Sequence, residues 1–136
     1  MTIMIVDDLS PIALTYKSIL MRAGYEAEVF TRSIEAITEL QNNPSNYSLV
    51  ISDIYMNEVN GVAVIATAKQ MNPTIKTVCI TGGGGFDQDT SLITEAREIA
   101  DQLVFKPIHS GQLVNIVRTV LGEPEADRQA TATSVA

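Results

Sequence analysis

Asp7 and Asp8 follow the apolar run 3–6, Asp53 follows 49–52, Thr81 follows 75–80 and Lys106 follows 102–105. Three carboxylates, a hydroxyl and an ammonium, each at the exit of such a run, can hold a hard cation and handle phosphoryl oxygens. Two unit charges about 4 Å apart repel by roughly 4 kcal/mol at an effective dielectric near 20. One Lys does not balance three acids, so a divalent cation with oxygen ligands is the natural remedy. Mg²⁺ suits, because it takes one or two carboxylates and leaves its other positions to water or phosphate oxygens. The same parts serve phosphoryl transfer, where catalysis is mostly positioning and charge stabilisation. Singly, each part has a plainer reading. Asp-Asp after a strand is a common turn or cap signal, a Thr at a strand end packs, and Lys-Pro is a common surface pair. The four glycines 82–85 fit neither a dinucleotide fingerprint nor a phosphate loop. The weight lies in the combination.

Positioning these residues requires strands that end together. Runs 3–6, 26–30, 48–52, 75–80 and 102–105 read as strands. Between them stand helical patterns over 12–23, 32–43, 62–71 and 87–100, and a last one covers 110–121. Ser10 reads as an N-cap with Pro11 in the first turn, Gly24 as a helix stop, and Asn-Pro pairs at 43–44 and 72–73 as further stops. Strands alternating with helices predict a (βα)5 domain, α/β and doubly wound, with a parallel sheet covered on both faces. In such sheets ligands bind outside the carboxyl ends of the strands, where the five polar residues stand. The expected domain covers 1–121. Residues 122–136 lose apolar periodicity and read as a disordered tail or the start of a linker.

The 136 residues carry a net charge of −7 with scattered Lys and Arg, which argues against direct nucleic-acid binding. No apolar run approaches the roughly 18 residues that span a bilayer, and the start is not a secretory signal. The expected compartment is the cytoplasm, without membrane attachment. Cys79, the only cysteine, reads as a small core residue. His109, the only histidine, reads as a loop or cap residue at the start of the last helix.

The motifs "VDD" (6–8), "SDIYMNEVNG" (52–61), "ITGG" (80–83) and "FKP" (105–107) together resemble the receiver domain of two-component response regulators, over about residues 2–121. The resemblance implies a flavodoxin-like strand order 2-1-3-4-5. It implies Asp53 as phosphoacceptor, charged from a phosphohistidine of a sensor histidine kinase or phosphotransfer protein. It implies Mg²⁺ on Asp8, Asp7, Asp53 and the backbone carbonyl of Tyr55, with Thr81 and Lys106 on the phosphoryl oxygens. A cis bond before Pro107, a tight turn allowed by Gly61, and self-catalysed phosphorylation and dephosphorylation without other enzymatic activity follow as well. The donor would dock near Pro11, Leu14 and the turn after Lys106. A downstream target would meet the face of the fourth helix, fifth strand and last helix. The chain would act as a monomer or weak dimer.

Three departures stand out. Asn57 replaces a frequent Pro. Leu103 replaces the usual aromatic switch residue, with Phe105 two places nearer the site on the same strand face. Tyr55 and Gly83 occupy the places where side chains tune acyl-phosphate lifetime. Two other readings compete. A pseudo-receiver would bind partners constitutively, and only Leu103 favours it. An Asp-x-Asp phosphohydrolase would need an acid where Tyr55 stands. Beyond the core stripe of the last helix, Val114 and Leu121 are seven apart, as are Leu14 and Met21 on the first, and both pairs are candidate contact residues.

Overall fold

A computed structural model describes residues 1–82 and 90–123, with Thr90 by its backbone only. Five strands, β1 (Thr2–Val6), β2 (Glu26–Phe30), β3 (Tyr47–Asp53), β4 (Lys76–Thr81) and β5 (Gln102–Phe105), alternate with five helices. These are α1 (Ser10–Arg22), α2 (Ser33–Asn42), α3 (Gly61–Met71), α4 (Thr90–Ile99) and α5 (Ser110–Val120). All neighbouring strands pair in parallel, in the order β2-β1-β3-β4-β5. The expected (βα)5 architecture and flavodoxin-like order are therefore present. Residues 87–89 of the expected fourth helix, Gly83 and the tail from 124 lie outside the described residues.

Each strand alternates its side chains between two helical layers. Met4, Val6, Val50 and Cys79 pack with α2, α3 and α4, while Ile3, Ile5, Leu49, Ile51, Val78 and Ile80 pack with α1 and α5. That is why the central strands β1, β3 and β4 read as largely apolar runs: neither of their faces is wet, whereas the edge strands β2 and β5 expose residues such as Glu26 and Gln102. Cys79 is buried in this core, as expected, and burial pushes its thiol up to about 12.

Two details of helix entry differ from the sequence reading. Ser10 is the first residue of α1 rather than its cap; Leu9 holds that place, and the Asp7 carboxylate accepts the Leu9 N–H at 2.9 Å. Short polar side chains bond their own backbone two residues on, and here that preference competes with the Ser cap and wins. α3 begins one residue early because Asn60 caps it, its Oδ1 accepting the Ala63 N–H at 3.0 Å. Gly24, with φ +98°, ends α1 as expected, since that backbone conformation costs a glycine nothing. His109 is the N-cap of α5, its N–H donating to Gln112 Oε1 at 3.4 Å. Of the paired apolar residues, Leu14 and Met21 are exposed, whereas Val114 and Leu121 lie half-buried against the α1–α5 layer.

Candidate functional site

The carboxyl ends of β1, β3, β4 and β5 form one rim. Register sets it: Val6 lies beside Ser52, Asp53 beside Ile80, and Thr81 beside Phe105. Alternation then selects the side. Asp7, Asp53 and Lys106 continue the parity of Ile5, Ile51 and Val104, so all three rise from the α1–α5 face of the sheet. Asp8 and Thr81 continue the opposite parity.

Asp7, Asp8 and Asp53 each offer a carboxylate oxygen within 4.8 Å of the others, so the three acids do converge as one potential metal centre. Asp7 and Asp53 are buried, and Asp8 is half-exposed. Lys106 Nζ lies 3.4 Å from Asp53 Oδ2 and 3.5 Å from Asp7 Oδ2. Its backbone N–H donates to the Thr81 carbonyl at 2.7 Å, and the Lys106–Pro107 bond is cis. Two buried anions thus share one cation, and a third acid stands at the door. Burial pushes the Asp53 carboxyl above its ordinary range; Lys106 offsets part of this and the Asp7 charge adds to it. For Lys106, burial works against the ammonium, but the attraction of Asp53 and Asp7 prevails and its pKa is raised. An excess of negative charge among oxygen donors fits a divalent metal of the Mg²⁺ kind.

Thr81 is fully buried, and among the described residues its Oγ1 has no hydrogen-bond partner. A buried hydroxyl left unpaired costs about 1–3 kcal/mol, so this atom suits a ligand oxygen. Thr81→Val keeps the shape and removes the orphaned group. It is expected to raise the stability of the ligand-free protein by about 1 kcal/mol, read as a higher urea midpoint.

The loop from Asp53 to Gly61 carries Tyr55, which is half-buried against the α2–α3–α4 layer. Gly61 is required here for a different reason than a tight turn. Its φ is not positive; instead its α-carbon lies so close to Asp53 and Ile54 that a Cβ would fall 2.8 Å from the Asp53 carbonyl carbon and 2.9 Å from the Ile54 Cα. Leu103 is half-buried in the α2–α3–α4 layer, while Phe105 is 44% exposed.

Sequence reasoning missed Tyr16. Its helical spacing marked it as core, and its ring is core, but its hydroxyl feels Lys106, Asp7 and Asp53. An aromatic with a polar tip in a core stripe was the available signal.

Strand order 2-1-3-4-5 with acids gathered over β1 and β3 puts the chain in the class of doubly wound flavodoxin-like domains with their site at the switch point. It belongs to the response regulator receiver domain family, whose description fits residues 3–118. It is 30% identical over 104 residues to the response regulator receiver protein CpdR of Brucella abortus, covering 75% of this chain and 81% of CpdR. It is 27% identical to the chemotaxis protein CheY of Thermotoga maritima, covering 87% of this chain and 95% of CheY. A CheY-like receiver domain from Methanospirillum hungatei superposes with a TM-score of 0.79 at 25% identity, covering 93% of this chain and 97% of that one. The chain is thus a receiver domain of two-component systems, a phosphorylation-dependent signalling module.

Proposed function

We propose that Asp53 is the phosphoacceptor and that Mg²⁺ binds to Asp8, Asp53, Asp7 and the Tyr55 carbonyl. The gathering of the three carboxylates beside Lys106 is the observation that supports this reading most. When bound, the metal would neutralise charge on the phosphoryl group. An Asp53 carboxylate oxygen attacks phosphorus, an O–P bond forms, and the P–N bond to the donor imidazole breaks. The electron pair leaves with the imidazole nitrogen. Lys106, already held between Asp7 and Asp53, offers its ammonium to a phosphoryl oxygen, and the unpaired Thr81 hydroxyl donates to another. The transfer is catalysed by the domain itself, as is the later hydrolysis.

The donor is a sensor histidine kinase or a phosphotransfer protein, docking along α1 near Pro11 and Leu14 with the turn after Lys106. A target protein meets the α4–β5–α5 face, where Phe105 is already exposed. Leu103 in the core beside it leaves the signal to Thr81 without an aromatic partner at that position. The module comprises residues 1–121 and acts in the cytoplasm as a monomer or weak dimer. No described helix is long and apolar enough to cross a membrane. Acetyl phosphate with Mg²⁺ should add the mass of one phosphoryl group to the intact chain, and chelation of the metal should prevent it. An unchanged mass in the presence of Mg²⁺ contradicts the proposal.

A further inference from the structure

The segment that follows Asp53 is tied at three consecutive residues to three different partners. The Asn57 N–H donates to Asp8 Oδ2 at 3.1 Å. Glu58 Oε2 accepts from Arg32 Nη2 at 2.7 Å and Nε at 3.2 Å. The Val59 N–H donates to Ser33 Oγ at 2.8 Å. Asn60 then caps α3, and the Gly61 N–H donates to the Ile54 carbonyl at 2.8 Å. Every residue from 57 to 61 is therefore anchored, in a stretch with no strand or helix to hold it until Gly61.

We propose that the Asn57 N–H positions Asp8, and that Ser33 and Arg32 brace the loop behind it, so that metal affinity is set by groups that never touch the metal. This rests on the reading of the acid cluster as a Mg²⁺ site. A cleft of about 270 Å³ lies between the loop and the β2–α2 turn, bordered by Asp8, Arg32, Ser33 and Glu58. Packing does not fill that space, so the polar ties must hold the loop across it. Ser33 is only 2% exposed, so its end of the bond to the half-buried Val59 is shielded, while the Arg32 pair lies outside.

Asp8 is half-exposed, and a carboxylate without a partner there would rotate freely. With Oδ2 engaged by Asn57, its other oxygen is presented to a cation in one orientation. Ordering the backbone of a loop costs conformational entropy, and the ties meet that cost before metal arrives. Groups that orient a metal ligand commonly change affinity by about 10–100-fold when lost. The bond depends on residue 57 having an N–H, which proline lacks.

The test is calorimetric titration of the full chain with Mg²⁺ alone, comparing wild type with Asn57→Ala, Asn57→Pro, Ser33→Ala and Ser33→Thr. Asn57→Ala keeps the N–H and should bind within about twofold of wild type. Asn57→Pro should bind about 10-fold more weakly. Ser33→Ala should weaken binding severalfold, and Ser33→Thr, which keeps the hydroxyl, should restore it. Urea denaturation without metal checks that each variant folds; should Asn57→Pro fail to fold, the Ser33 pair decides. Wild-type protein that binds no Mg²⁺ would overturn the metal site itself. Wild-type binding with equal affinities for the Pro and Ala variants, or for the two Ser33 variants, would overturn the positioning role alone.

Discussion

Asp53→Asn is expected to abolish phosphorylation and, at the same time, to make the metal-free protein more stable at pH 7. The first effect follows from chemistry, because an amide lacks the anionic oxygen that attacks phosphorus. The second follows from electrostatics. Burial raises the Asp53 carboxyl above its ordinary 3.8, with Lys106 only partly opposing. The folded state then holds that proton more tightly than the unfolded chain does, so this residue's contribution to stability is present below the unfolded value and is lost as pH rises through the folded one. At pH 7 ionised Asp53 is a burden, and the neutral amide lifts it. Lys106 is not stranded by the change, because Asp7 lies 3.5 Å away. Urea midpoints at several pH values check this: the variant's advantage should be clear at pH 7 and shrink as pH falls below the ordinary carboxylate range. Saturating Mg²⁺ should favour wild type instead.

The second large effect is expected at Gly61. Its added methyl in Gly61→Ala would meet only backbone: the Asp53 carbonyl carbon at 2.8 Å, the Ile54 Cα at 2.9 Å, and the Asp53 carbonyl oxygen closer still. No flexible side chain can give way. Either the start of α3 or the end of β3 must move, breaking the Gly61–Ile54 hydrogen bond and displacing Asp53. Overpacking of this kind costs about 3 kcal/mol, roughly 10 °C in Tm for a domain of this size. Gly82→Ala would meet nothing within 4 Å among the described residues and serves as the control. Thermal denaturation of both variants distinguishes close approach from a general intolerance of side chains in glycine positions.

Why the architecture was legible and parts of the site were not has a common cause. Leu49, Val50 and Ile51 are buried on both sheet faces, so their apolar run signals a parallel strand without reference to anything distant. Asp7, Asp8 and Asp53 could then be placed because strand ends in this architecture share one edge. What the sequence did not disclose are contacts made by generic groups. The Asn57 N–H is present in any residue but proline, and Ser33 carries no mark of its own within the helical pattern 32–43. Their partners, Asp8 and Val59, lie 49 and 26 positions away. Gly61 was correctly picked but for the wrong reason, since local reasoning sees φ and not the backbone that passes overhead. Leu9 displaced Ser10 as cap because Asp7 engaged its N–H first.

Amide chemical shifts recorded before and after adding Mg²⁺ with beryllofluoride, a phosphoryl mimic, test the central claim most directly. Once both are present, the largest changes should fall on Asp53, Thr81, Lys106 and the neighbours of Asp8, and Asp53→Asn should lose them. Changes centred elsewhere, or the same changes in Asp53→Asn, would contradict it.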